Sequence, residues 1–246
     1  MQKYKIIKST AIEYEGHKLY RIEALRDFGR IKKGDRGGYV ETQDNLSHEG
    51  NCWIYNDAKV YGQAKVFEDA LIWDNAEVFN HAEVYGKAQI RDNAEVSGYS
   101  KVYDKAEVTD HANVFGLAKV FGNATLSNQA EVYVEAQVYG NAQVYGNAQV
   151  CGFAKVFGSA SVGNNAEIRG VAEISKTMDY YVGKNIWSSG RYFTYTRSNR
   201  MWAVGCFYGT SKELIDKANL DTLVSGREYE RIVNYVEAMY NDLEND

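Results

Sequence analysis

From about Cys52 to Ile174 the chain repeats every six residues without an insertion. The stretch reads NCWIYN, DAKVYG, QAKVFE, DALIWD, NAEVFN, HAEVYG and continues in that frame. An aliphatic residue stands at 54, 60, 66, 72 and every sixth position to Ile174. Two places before it stands Ala, with Cys52 and Ser100 as the exceptions. Self-similarity at a fixed period limits the fold severely, because every unit must solve the same burial problem in the same way. Ala-x-Val alternates small-in, polar-out, large-in, which is the period of a strand and not of a helix. Two places after the aliphatic residue comes Gly, Asn or Asp in most units, as at Gly62, Asp74, Asn80, Gly86 and Asp92. These residues tolerate positive φ, so each hexapeptide reads as one short strand and one corner. A single unit cannot bury its own Ala/Val face, whereas stacked coils share a continuous core. A proline would delete an N–H that the next coil needs, and the chain has none.

The ends of such a stack are open edges and need covers, which gives the flanks a task. We read residues 1–50 as an N-terminal β cap, 51–176 as the solenoid, and 177–246 as a small C-terminal α+β cap. In the first, Tyr4 to Lys8, Ala11 to Tyr14 and Leu19 to Ala24 alternate as strands, with Glu15-Gly16-His17 as a hairpin turn. Lys32-Lys33-Gly34-Asp35-Arg36-Gly37-Gly38 is basic and Gly-rich but lacks phosphate-loop spacing, and reads as a turn. In the last, Tyr192 to Thr196 and Met201 to Phe207 read as a hairpin around Arg197-Ser198-Asn199-Arg200. Ser211 would cap one helix to about Asn219, and Gly226 to Asp242 would form another.

The repeat resembles the hexapeptide-repeat superfamily, whose members form left-handed parallel β-helices with three hexapeptides per triangular coil. The resemblance covers about half the chain and implies about seven coils; the handedness comes from it alone. Residues Arg26-Asp27-Phe28-Gly29, Lys33-Gly34-Asp35, Gly37-Gly38-Tyr39-Val40 and Asn45-Leu46-Ser47, followed by Gly50-Asn51-Cys52-Trp53-Ile54-Tyr55, are similar to the start of the helix in YdcK-like proteins. That group occurs in bacteria and prophages and carries an acyltransferase label that rests on fold, which does not establish activity.

With three hexapeptides per coil, the outward positions sort into three faces. One carries Phe67, Tyr85, Tyr103, Phe121, Tyr139 and Phe157 on successive coils, with Lys65, Lys101, Lys119 and Lys155 interleaved among Glu83, Gln137 and Glu173. Two uses of this face are open. It can be a ladder of rings that stiffens the solenoid, or an interaction surface. The resemblance implies self-association as a trimer; an anionic, base-containing ligand could instead stack on the rings. The C-terminal cap adds Trp187, Arg191, Tyr192, Arg197, Arg200 and Trp202, more Trp, Tyr and Arg than a simple cover needs.

An enzyme of the hexapeptide acyltransferase kind would, by resemblance, use acyl-CoA and a His base near a subunit boundary, commonly beside a loop extruded from the coils. The corners between 54 and 174 carry no insertion, and the candidates His81 and His111 sit in corner slots on different corners. No three-His zinc set or nucleophile with a neighbouring base is evident. Three scattered cysteines, the lack of an apolar leader or spanning segment, and a net charge of −5 point to a cytoplasmic protein without generic duplex-DNA binding or a membrane partner. The resulting expectation is a non-catalytic, homo-oligomeric β-helix that binds an anionic small ligand or a host protein. The prophage likeness adds the idea of an inhibitor or ligand sponge. An acyl-CoA-dependent transferase is the alternative.

Overall fold

The structure, a computed structural model, describes residues 2–245. Two-residue strands recur every six residues from Trp53–Ile54 to Glu173–Ile174 and stack into three parallel sheets. Val66 aligns with Val84, and Val84 with Val102, so three hexapeptides complete one coil, as expected. The aromatic sheet runs from Lys65–Val66 to Glu173–Ile174 and the third sheet from Trp53–Ile54 to Ser161–Val162; each has seven strands. The second sheet contains the strands from Lys59–Val60 to Glu167–Ile168 and joins the N-terminal cap. The Ala and aliphatic slots from Ala58 to Ile174 are fully buried and form one core along the axis. Mainly β, parallel and stacked, the solenoid is the fold that the repeat dictates.

The corners are left-handed backbone turns. Asn56, Gly62, Asp74, Asn80, Gly86 and their successors all have φ between 51° and 74°. Val134 occupies one of these positions with φ 61°, where a β-branched residue crowds its own backbone.

The N-terminal cap begins with β1 (Tyr4–Ile6), β2 (Ile12–Tyr14), β3 (His17–Ala24) and β4 (Arg36–Val40). The hairpin expected at Glu15-Gly16 joins β2 to β3, with both turn residues at positive φ. β4 lies parallel to Lys59–Val60, pairing Val40 with Val60, and Leu46 bridges to Val66. An irregular, slightly longer coil thus precedes the seven regular ones. Gly37 and Gly38, read from sequence as part of a turn, are strand residues. A Cβ on Gly38 would lie 2.4 Å from the Ala58 carbonyl oxygen, and one on Gly37 2.6 Å from Ile22. Their smallness lets the cap lie directly on the first coil.

The C-terminal cap is a four-stranded antiparallel sheet, β5 (Tyr180–Lys184), β6 (Tyr192–Thr196), β7 (Met201–Val204) and β8 (Phe207–Gly209), covered by α1 (Ser211–Asp221) and α2 (Leu223–Asn245). It has its own core around Phe193, Trp202, Leu214, Val233 and Val236. The N-cap of α1 is Thr210, in a capping box with Glu213, one residue earlier than expected. The Ser211 hydroxyl instead accepts a bond from Trp202 Nε1 at 2.9 Å. Gly226 lies inside α2, where a Cβ would strike Asn219 of α1.

Two outcomes are expected. Val134→Asn should raise the thermal midpoint by roughly 2–4 °C, since relieving a left-handed β-branched residue is worth about 1 kcal/mol. His48 Nδ1 accepts a bond from the Lys3 backbone N–H at 3.2 Å, and its ring packs on Tyr4. Burial, then the Lys3 charge and the N-terminus, hold His48 below its ordinary value of about 6.5. A depressed histidine stays neutral in the fold while the unfolded chain takes up protons, so stability is lost as pH falls below about 6.5. Midpoints measured between pH 7.5 and 5 should fall less steeply in His48→Gln than in the parent.

Candidate functional site

The six rings from Phe67 to Phe157 form a continuous stack. Each follows a core valine on the outside of the aromatic sheet, so coil spacing sets ring spacing. Centroid separations are 4.7 Å for Phe67–Tyr85, 4.9 Å for the next three pairs and 5.2 Å for Tyr139–Phe157, with interplanar angles of 2–8°. All six rings are half-buried by their neighbours. Desolvation holds the Tyr85 and Tyr103 phenols above their ordinary value. The ladder reading is thus realised in the geometry. The lysines alongside are partly neutralised, as Lys101 pairs with Glu83 at 2.6 Å and Lys155 with Glu173 at 2.9 Å. Lys65 and Lys119 are exposed.

The ladder ends where its next position is Ser175. Below Phe157 lies a groove of about 440 Å³ lined by Phe157, Glu173, Ser175, Asp179, Arg197, Ser198 and Arg200. Arg197 and Arg200 flank the turn between β6 and β7, and both continue into an adjoining hollow with Tyr195, Glu237 and Tyr240. The Asp179 carboxylate is engaged by Ser175 N–H at 2.7 Å, Ser175 Oγ–H at 2.9 Å and Lys176 N–H at 2.8 Å. The Arg197 guanidinium lies 5.8 Å from the Tyr240 ring centre. At the opposite end, Phe67 borders a cleft whose charges include Glu49, Glu68, Asp69 and Lys87. Two arginines, Arg197 and Arg200, therefore stand with Glu173 and Asp179 at the C-terminal end of the ladder.

The structure separates the aromatic and basic residues that the sequence grouped in the C-terminal cap. Arg197 and Arg200 meet the ladder. Arg191 lines a different cavity, inside the cap. Tyr192 is half-buried beneath the Lys184 ammonium, which is 5.4 Å from its ring centre. Trp202 is fully buried in the cap core, where it has no surface for a partner. Trp187 packs edge-on against Tyr229 at 5.2 Å, also as part of that core. Single-residue reasoning could not foresee this burial, because Trp202 lies in β7 and Trp187 in the loop after β5, and both are covered by packing within the cap core.

The histidines do not converge. His81 stacks on Tyr99 at 4.4 Å and His111 is exposed on another corner. An arrangement that sequence reasoning passed over is His17, whose Nδ1 lies 3.0 Å from the Glu41 carboxylate. The same carboxylate accepts a bond from Gly62 N–H at 2.7 Å, and the His17 ring packs on Tyr61 at 5.0 Å. Nearby, Glu77 joins Tyr14, Tyr61 and Lys59, fastening the β2–β3 hairpin to the second sheet. Among the described residues no group of His, Cys, Asp and Glu is placed to hold a metal ion. Among them, also, no helix is long and apolar enough to cross a membrane.

No protein-family model matches the chain. A stretch of 74 residues is 32% identical to a protein of Escherichia coli (strain K12) described as "Uncharacterized acetyltransferase YdcK". The match covers 27% of this chain and 23% of that protein, so the chain spans less than a quarter of the relative it matches. The chain is a hexapeptide-repeat β-solenoid. Repeat and coil agree on that fold.

Stacked aromatic pairs contribute about 0.5–1.5 kcal/mol each beyond area burial. Tyr103→Ala breaks two such contacts and should destabilise by about 1–3 kcal/mol in denaturant unfolding. A double-mutant cycle with Tyr85→Ala should show coupling of at least about 0.5 kcal/mol, whereas a cycle with the distant Phe157→Ala should be additive.

Proposed function

We propose that the protein is a non-catalytic β-solenoid binding protein that takes a ring-bearing anion, of the nucleotide kind, at the C-terminal end of its aromatic ladder. The observation that carries this reading is the open face of Phe157. Every inner ring of the ladder has a ring above and below it; the position after Phe157 is Ser175, which leaves one face toward the groove. A base entering there would be the seventh ring of the stack. Arg197 and Arg200 line the same groove, the residue types that meet phosphate. Stacking of a base on an aromatic side chain is worth roughly 1–3 kcal/mol, and the groove is within the size range of small-ligand sites, roughly 300–1,000 Å³. Self-association, with a trimer expected from the family resemblance, belongs to the same reading and is measured by sedimentation. A role as inhibitor or sponge of a host nucleotide signal would follow from such binding.

A second reading is favoured by one observation, the acetyltransferase name of the E. coli relative. An acyl-CoA-dependent acyltransferase would place His81 or His111 at a subunit boundary as base. His17, already oriented by Glu41, is a better-positioned candidate. Acyl-CoA carries an adenine nucleotide, so turnover and not binding separates the two.

In calorimetric titrations ADP should bind, and ribose 5-phosphate, which lacks the ring, should bind at least about 10-fold more weakly. Phe157→Ala and Arg197→Gln should each weaken ADP by about 10-fold or more, while Phe67→Ala should not. Absence of ADP binding, or indifference to Phe157→Ala, overturns the groove. Turnover of acetyl-CoA that is lost in His17→Gln, His81→Gln or His111→Gln would establish the enzyme instead.

A further inference from the structure

We infer that the C-terminal cap holds a second binding site, for a small zwitterion of the α-amino acid kind. A cavity of about 200 Å³ lies between the 185–191 loop, the β7–β8 turn, α1 and the start of α2. Asn185 lines it and is itself only 3% exposed. Its Nδ2 donates to the Tyr229 hydroxyl at 3.1 Å, but its Oδ1 has no hydrogen-bond partner. Buried carboxamides are ordinarily satisfied. Asn45, the other buried asparagine of the described chain, accepts from Glu41 and Thr42 N–H and donates to the Gly62 and Ala64 carbonyls. Asn185 therefore lacks a donor that a ligand can supply.

The charges around the cavity say what kind of donor. Arg191 and Lys217 line it together with Asp221. The Arg191 side chain lies across the β7–β8 turn, where a Cβ on Gly205 would be 3.3 Å from its Nη1. Ser225, in the first turn of α2, also lines the cavity, so the positive end of a long helix faces it. Two cations and a helix N-terminus suit a carboxylate. Asp221 and the Asn185 oxygen suit an ammonium group. Val204, Phe207 and Leu214 supply an apolar wall for a short side chain. An α-amino acid presents these three parts at the right scale. The site is separate from the ladder groove and does not depend on nucleotide binding there.

The test is calorimetric titration of the full chain with L-leucine and L-valine, and with 4-methylpentanoate and L-leucinamide, which lack the ammonium and the carboxylate. At least one amino acid should bind with Kd below about 10 mM, and removal of either charge should weaken binding at least 10-fold. Lys217→Gln and Arg191→Gln, both at exposed positions, should each weaken it by at least about 10-fold with an unchanged thermal midpoint. Asn185→Leu should abolish it, with near-UV circular dichroism reporting that the cap still folds. No saturable heat from either amino acid overturns the proposal. So does binding that is indifferent to both Arg191→Gln and Lys217→Gln, or equal binding of 4-methylpentanoate.

Discussion

Outside the paired strand residues, the backbone hydrogen bonds between coils point the same way. Tyr55 N–H donates to Ile72 O, Lys59 N–H to Ala76 O, and the sense is kept to Phe157 N–H and Ile174 O. At those positions the stack ends in carbonyls on one side and N–H groups on the other, and buried groups of either kind are costly when unpaired. The two caps answer these two demands with opposite chemistry. At the carbonyl end stand donors: Lys3 Nζ bonds Cys52 O at 2.9 Å, the Tyr4 hydroxyl bonds Leu46 O at 2.9 Å, and Arg21 reaches Gly37 O and Asn56 O. At the N–H end stand acceptors: Tyr180 Oη for Gly163, Thr194 Oγ1 for Glu167, Ser198 Oγ for Glu173 and Asp179 Oδ2 for Ser175. Neither end is closed by another strand alone, which also removes the edge on which a second solenoid could add.

This arrangement explains the oddest residue of the core. Lys3 is fully buried, beside Cys52 Sγ at 3.1 Å and 5.1 Å from the Phe28 ring centre. Burial pulls its ammonium below the ordinary lysine value and pushes the Cys52 thiol up. A buried cation needs several acceptors, and the carbonyl end of a parallel stack offers them. The same uniformity keeps the shaft stiff. With one pitch for backbone and rings alike, the ladder has no break until the caps begin, so a ligand finds an unoccupied ring face only at its ends.

The solenoid was legible because every unit repeats the same burial decision. The face assignments followed from arithmetic on that repeat, and the rings at 67, 85, 103, 121, 139 and 157 do stack. The irregular coil was not legible. Val40 and Leu46 fill core slots without the Ala-x-Val frame, and Gly37 and Gly38 look like turn residues until the first coil is laid against them. The candidate site was half legible. Arg197 and Arg200 were found by composition, but their meeting with Phe157 depends on how the cap sheet docks through Thr194 and Ser198. Trp202 was misplaced for the same reason: its burial is decided by α1 and α2, which no local pattern in β7 reveals. The His17–Glu41 pair joins a residue of β3 to one just past the end of β4 and leaves no spacing signal.

The direction of the ladder bonds also bears on which end suits an anion. Outside the strand pairs, N–H groups lead toward the C-terminal cap, so that end presents oriented amides of the kind that meet anions. Asp179 already uses it, accepting from Ser175 and Lys176 N–H. The carbonyl end has the opposite polarity and has drawn Lys3 and Arg21 into the structure itself. Side-chain charges differ in balance, with Glu49, Glu68, Asp69 and Lys87 beside Phe67 and Arg197 and Arg200 together with Glu173 and Asp179 beside Phe157. Two rings of the same stack thus offer faces of equal shape in unlike fields. A neutral ring would have little reason to choose between them. A phosphate-bearing one would be repelled from the first and drawn to the second, which is why the proposed groove lies at Phe157 and why Phe67→Ala serves as its control.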